Sequence, residues 1–288
     1  MTLFNRGRSA RGLFDERVEE LHGDRTADLS ALAGRTWDAV VDTSGYVPAD
    51  VAASAEALRG SARYVFVSSV SVYGDLSAGP TEESAVAELG DMPADELGAD
   101  FSNYGALKAL CEEEVRRVFG ERALVVRPGL IAGPHDPTGR FTYWAHRLAR
   151  GGEILAPGPP ERRVQFVDVR DLGEWIVDAA ERRLSGTFNA TNAGVEMREL
   201  LAGAEVTWVT DEFLRDEGVG EWMELPLWIG SPEWRGMHEA VVSRAVAAGL
   251  RFRPVAETVA GAADAPAVEG VGLTPERETE LLEAWRAR

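Results

Sequence analysis

The sequence is poor in the residues that staple small secreted domains or bind metal ions. It has a single cysteine, Cys111, so no disulfide can close within the chain, and a reducing compartment is compatible with it. Its helical surroundings predict a buried, inert thiol. The four histidines, His22, His135, His146 and His238, are scattered with no metal-ligand spacing, and no metal site is expected. No run approaches the roughly 20 apolar residues of a membrane span. The opening Met1-Thr2-Leu3-Phe4-Asn5-Arg6-Gly7 lacks the charged-then-apolar order of a secretory signal, so the cytoplasm is the expected location. Positive charge is scarce too: 30 Lys and Arg stand against 48 Asp and Glu, a formal net charge of −18. That excess repels phosphate backbones and anionic lipid. It disfavours nucleic-acid and membrane partners and leaves a small molecule as the expected one.

What is present is a chain of 288 residues, 45% hydrophobic and 27% charged, ordinary values for a globular protein. Its first half alternates short β-rich runs with helical stretches, the pattern of a parallel sheet with crossover helices. Strands are predicted at Thr2 to Phe4, Val18 to Leu21, Trp37 to Asp42, Tyr64 to Ser68 and Ala123 to Arg127. The third has an apolar centre suited to burial on both faces. Helices are predicted over 49–59, from Asn103 to Val118 and over 171–183, with a short one from Leu29 to Leu32. Residues 74–100, rich in Gly, Pro, Asp and Glu, read as a loop or lid. Later strands are expected at Val164 to Val167 and Thr187 to Ala190. Residues 260–272 read as a linker to a last helix.

The strongest chemical signal is Tyr104-Gly105-Ala106-Leu107-Lys108. A spacing of i, i+4 puts the phenol and the ammonium on one helix face, a turn apart. A nearby cation favours phenolate, so such a tyrosine can exchange a proton with an alcohol or ketone near neutral pH. Upstream, a strong strand ends in Val67-Ser68-Ser69-Val70-Ser71-Val72-Tyr73-Gly74. Strand C-termini of a parallel sheet open onto the ligand crevice, where a hydroxyl can bond the same substrate oxygen. Capping and turn formation are the alternative use of these serines.

Together these segments resemble the extended short-chain dehydrogenase/reductases, the NAD-dependent epimerase/dehydratase family. Further stretches resemble the same pattern: His22-Gly23-Asp24-Arg25 and Asp42-Thr43-Ser44-Gly45-Tyr46 after two strands, Arg127-Pro128-Gly129 after the Tyr/Lys helix, Phe166 to Asp171, and Gly249 to Pro254. The resemblance implies an α/β fold with a doubly wound Rossmann-type parallel sheet and a smaller C-terminal substrate lobe. It implies Tyr104 as acid/base, Lys108 as the holder of the nicotinamide ribose and tuner of Tyr104, and Ser69 as the hydroxyl that orients substrate, with Ser71 the second choice. NAD(P) contacts are implied at Asn5, Arg6, Asp24, Arg25, Thr43, Ser44, Gly45, Lys108 and Pro128. His135 and Arg140 are candidates for the substrate mouth, and Trp222, Trp228 and Trp234 for the wall of an apolar or sugar-stacking pocket.

Departures from the family pattern matter as much. The family opens with a strand, a Gly-x-x-Gly-x-x-Gly turn and a helix whose N-terminus holds the pyrophosphate. Here Met1 falls where the second family strand starts, and Gly7 and Gly12 lack that spacing. The fold is therefore expected to lack its first βα unit. A mis-assigned start is the preferred explanation, ahead of a truncated, inactive homologue or a partner-completed sheet. Asn5-Arg6 stands where an acidic residue would select NAD, and a guanidinium there suits a 2′-phosphate. The arginine that holds a sugar-nucleotide diphosphate is replaced by Val164, beside Arg162 and Arg163. The expected domains are residues 1–128, with 164–190 returning, for NAD(P), and 129–163 with 191–288 for substrate. The expected function is an NAD(P)-dependent oxidoreductase or epimerase acting on a hydroxyl- or keto-bearing carbon, with a sugar derivative as one candidate substrate. The alternatives are a non-catalytic cofactor-sensing or RNA-associated protein on the same fold. A homodimer is common among such proteins.

Overall fold

The computed structural model describes residues 1–8, 17–99 and 101–288; Gly12 lies outside them. The chain forms two compact units. The first comprises 1–74, 86–126 and 179–187, and the second 75–85, 127–178 and 188–288. The first break after the Tyr/Lys helix thus falls at Val126, and 164–178 group with the second unit rather than the first. The pairing explains it: the strand Phe166–Asp168 bonds in parallel to Leu130–Ala132, which belongs to the same unit. The unit expected to be the smaller holds the greater number of residues.

In the first unit, β1 (Thr2–Asn5) and β2 (Glu19–His22) form a parallel pair in register Thr2 to Glu19. A separate sheet contains β3 (Val40–Asp42), β4 (Tyr64–Val67) and β5 (Ala123–Pro128), parallel, with Val40 opposite Tyr64 and Tyr64 opposite Ala123. The strand Gly186–Ala190 lies beyond β5 in the order. Among the described residues, β1 and β3 each have a hydrogen-bonded neighbour on one side only.

The Tyr-Val-Phe-Val run of β4 is made of strong β-formers, and all four residues are buried. Its period of two sends Tyr64 and Phe66 to one face. There they pack with Val51, Ala55 and Leu58 of the helix α1 (Pro48–Ala57) and its end, and with Cys111, Val115 and Phe119 of α2 (Tyr104–Phe119). Proline at the first turn of α1 and Asp50 beside it suit a helix start. Two arginines in the last turn of α2, followed by Gly120 at φ 53°, suit its end. Cys111 is buried, and burial pushes its thiol up to about 12, as expected for an inert side chain.

Two sequence expectations need amendment. β3 is shorter than the Trp37 to Asp42 run, because the Trp37 N–H bonds the Ser61 hydroxyl at 3.1 Å instead of a strand neighbour. Its centre is not buried on both faces: Val41 is 43% exposed. Residues 74–99 hold no helix or strand, as expected of a loop, but the loop is shared between the two units. Leu76 and Pro80 accept backbone hydrogen bonds from Gly236 and Val241 at 2.7 and 2.9 Å, which fixes that part within the second unit.

The second unit has its own core around Phe141, Trp144, Ile154, Leu155, Phe213 and Trp228. Its elements include the helices Thr142–Arg150, Val169–Glu181 and Pro275–Arg286. The region expected as a linker begins inside the helix Val255–Ala262. Among the described residues no helix is long and apolar enough to cross a membrane.

The core of the first unit makes a direct prediction. Phe66 is fully buried between β4 and both helices, so Phe66→Ala should cost about 3–5 kcal/mol, read as a lower urea midpoint by circular dichroism.

Candidate active site

The candidate site of the first unit is built where β4 ends against the first turns of α2. Past Val67 the chain turns through Ser68 and Ser69 into a single 3₁₀ turn, Val70–Val72. Ser69 caps that turn: its Oγ accepts from the Ser71 N–H at 3.0 Å and donates to Ser71 Oγ at 3.1 Å. The turn lies so close to α2 that a Cβ on Gly105 would collide with the Ser71 carbonyl oxygen. Glycine is therefore required between Tyr104 and Ala106 for reasons of space. Both Ser69 and Tyr104 are half-buried. The capping use of Ser69 and its proximity to the Tyr/Lys helix coexist.

Lys108 faces inward. It is 2% exposed, and its Nζ donates to the Gly45 carbonyl at 2.8 Å and the Val67 carbonyl at 2.7 Å. The Phe66 and Tyr46 rings stand 4.3 and 5.5 Å from it, close enough for cation–π attraction. Burial outweighs this support and pushes the Lys108 ammonium down to about 8. Lys108 is also the only lysine of the chain; every other member of the 30 basic residues is arginine. A guanidinium here would stay protonated throughout, whereas the ammonium can titrate.

Of the residues expected around a cofactor, Gly45 reaches this site through its carbonyl, and a Cβ there would meet Val51 and Phe66 at 2.5 and 2.7 Å. Thr43 and Ser44 are exposed in the same loop. Arg25 serves the fold: it binds Asp42 through two bonds of 2.8 and 2.9 Å and also reaches Ser54. Tyr64 donates to the same carboxylate at 2.7 Å. Asp24 closes a local turn with Thr26, and Asn5 does so with Gly7. Arg6 is exposed at the end of β1.

Pro128, His135 and Arg140 lie in the second unit. Pro128 is buried there and His135 is exposed, at φ 63°. Arg140 stacks on Trp222, guanidinium to ring centre 4.8 Å. Trp228 is fully buried, with its indole N–H on Asp211 at 2.9 Å, whereas Trp234 is 52% exposed. The three tryptophans therefore do not share one wall. Arg162 bonds Gly158, Ile229 and Asp211, and Arg163 the carbonyls of Ala193 and Gly194. Phe166 to Asp171 and Gly249 to Pro254 do meet: the Arg253 side chain bonds Asp171 at 2.8 Å.

Sequence inspection missed two residues of the site. Tyr46 approaches Tyr104 with ring centres 6.3 Å apart; it lies in a segment already singled out, but nothing local signals its ring. Asn103, 1% exposed, holds the preceding loop to the start of α2 through the carbonyls of Pro93 and Glu96 and the Gly98 N–H. An Asn just before a helix was the available signal, although here its side chain binds the loop instead of capping.

A parallel α/β sheet whose strand end presents a serine turn to a Tyr-x-x-x-Lys helix defines an extended short-chain dehydrogenase/reductase. The model of the NAD dependent epimerase/dehydratase family matches residues 36–194, and the chain belongs to that family. Solved structures share the fold. The enzyme WbmH of Bordetella bronchiseptica in complex with NAD+ is 17% identical over 91% of this chain and 88% of that one, with a TM-score of 0.59. UDP-galactose 4-epimerase is 20% identical over 91% and 89%, at 0.58. RMD from Pseudomonas aeruginosa, complexed with NADPH, is 18% identical over 92% and 100%, at 0.54. A search of curated proteins finds no match.

Two outcomes follow from the buried charges. Burial disfavours the Asp42 carboxylate, but Arg25, Tyr64 and the Ser44 N–H outweigh it and hold the carboxyl below its usual range. The folded-state value lies below the unfolded one, so this stabilisation is complete above about pH 4 and is lost as pH falls through the folded value. Asp42→Asn should cost about 3–5 kcal/mol at pH 7 by leaving Arg25 without its anion, and the gap to wild type should close in acid-titrated urea melts. Lys108 gives a slope of the same sign at higher pH, because its folded-state value also lies below the unfolded one. Between pH 8 and its unfolded value the unfolded chain binds the extra proton, so stability should rise with pH. Lys108→Met should flatten that rise in urea midpoints measured from pH 7.5 to 10.

Proposed function

We propose that this enzyme is an NAD(P)-dependent oxidoreductase or epimerase that works on a hydroxyl- or keto-bearing carbon, with a sugar derivative as substrate. The observation that carries the reading is the one lysine of the chain, buried a helical turn from Tyr104 and beside the Ser69 turn. Ser69 and Tyr104 hold the substrate oxygen. Tyr104 takes its proton in oxidation and returns it in reduction, and Ser71 supports Ser69 through their shared hydrogen bond. Positive charge on Lys108 favours the phenolate during that exchange.

The nicotinamide-ribose end of the cofactor fits this site. An ammonium has three donors, and Lys108 gives two to Gly45 and Val67, which leaves one for ribose hydroxyls. Bound NAD(P) supplies the hydride acceptor or donor. At α1 the pyrophosphate end has no such match: the helix begins with Pro48 and carries Asp50 in its first turn, which removes an amide donor and adds a negative charge where an anion would sit. Among the described residues β1 and β3 are each paired on one side only. On this reading the first unit is the cofactor domain and the second carries substrate contacts, among them His135 and Arg140.

The test is NADH and NADPH binding by fluorescence, followed by turnover on a panel of UDP-hexoses and 4-keto sugars. Tyr104→Phe should lower kcat by roughly 10²–10⁴-fold and leave cofactor binding intact. Normal turnover by that variant would refute the assignment; cofactor binding with no turnover by any variant would favour a cofactor sensor.

A further inference from the structure

Tyr104, Lys108 and Glu112 follow one another at four-residue intervals on α2, so they form one stripe along the helix. Lys108 and Glu112 are both buried, Glu112 completely. Each bonds one of two consecutive residues at the end of β4: Lys108 takes the Val67 carbonyl, and Glu112 accepts the Ser68 hydroxyl proton at 2.6 Å. Arg116, a turn further on, donates to the other Glu112 oxygen at 2.8 Å. A carboxylate with no exposure is expensive to bury, and apolar side chains could pack α2 on β4 without it.

We infer that Glu112 is a positioning residue of this site: through Ser68 it locks the end of β4 to α2, and it sets a negative charge one helical turn from Lys108. This rests on the proposed roles of Ser69, Tyr104 and Lys108. Ser68 immediately precedes Ser69, so the lock sets the distance between the substrate-orienting hydroxyl and the Tyr104 helix. The groups that face Lys108 are Glu112 and Cys111 from α2, Asp42 from the end of β3, and Arg25 from the segment after β2. The Tyr46 and Phe66 rings complete its surroundings. Removing the Glu112 charge leaves the Arg25–Asp42 pair intact and releases Arg116, which is 41% exposed, to solvent.

The single lysine makes the test direct. Protein labelled with ¹⁵N-lysine gives one ammonium signal, that of Lys108, whose titration is followed in the cofactor-free chain. Glu112→Gln keeps an acceptor for Ser68 and removes the charge; its Lys108 should bind a proton about tenfold more weakly, and the alkaline limb of the turnover profile should move by the same amount. Glu112→Asp keeps the charge, and Ser68→Ala keeps the carboxylate; both should titrate as wild type while kcat falls and KM holds. An unchanged Lys108 titration in Glu112→Gln overturns the inference, as does an unmoved alkaline limb or full kcat in Ser68→Ala. Should Glu112→Gln fail to fold, Ser68→Ala decides: a lowered kcat at unchanged KM supports the inference and a full kcat overturns it. The titration needs no hydride chemistry, so it stands or falls separately from the Tyr104→Phe result.

Discussion

The site depends on an ammonium held out of water by two carbonyl oxygens. Pairing of β3 with β4 stops at Asp42 and Phe66, one residue before Val67, and the Val67 carbonyl is left with no strand neighbour on that side. Gly45 turns its own carbonyl to the same point. Lys108 fills what would otherwise be a pair of unsatisfied acceptors in a dry place. The demand is mutual. The lysine needs the strand ends to stay inside, the strand ends need the lysine, and α2 is thereby fixed at the height that brings Tyr104 beside the serine turn. The requirement for glycine at 105, where the Ser71 backbone leaves no room for a side chain, follows from the same close docking.

What was legible in the sequence was local or periodic. The Tyr64 to Val67 run, the helix from Tyr104 and the serine cluster could be read because strand alternation and i, i+4 spacing are properties of neighbours in the chain. What was not legible depends on partners far away in sequence. Arg25 reads as a loop cation available to a ligand, yet Asp42, 17 residues on, takes both ends of its guanidinium. Trp228 reads as a candidate for a pocket wall, yet it sits in the second core with its indole N–H satisfied. Residues 74–100 have the composition of one loop, and only the long-range backbone bonds from Gly236 and Val241 divide it. The strand beginning at Trp37 was overextended for a similar reason: a serine hydroxyl 24 residues away captured its N–H.

The two units differ in how they treat charge. The first concentrates a few buried ionic groups, Lys108, Glu112 and the Arg25–Asp42 pair, at the ends of β3 and β4. The second uses ion pairs to tie distant segments, as Arg253 does with Asp171 and Arg147 with Glu278 at 2.8 Å. Buried pairs of this kind contribute less to stability than to a unique arrangement, which suits a site whose geometry must hold to fractions of an ångström.

The solitary lysine has one more consequence. Apart from the four histidines, all other basic side chains are guanidiniums, which stay protonated and do not acylate under physiological conditions. The only ε-amine is enclosed. Reagents and enzymes that acetylate, glycate or cross-link primary amines therefore meet a side-chain exterior with nothing to attack, and a reactive amine can be kept in the site without exposing its chemistry to solvent.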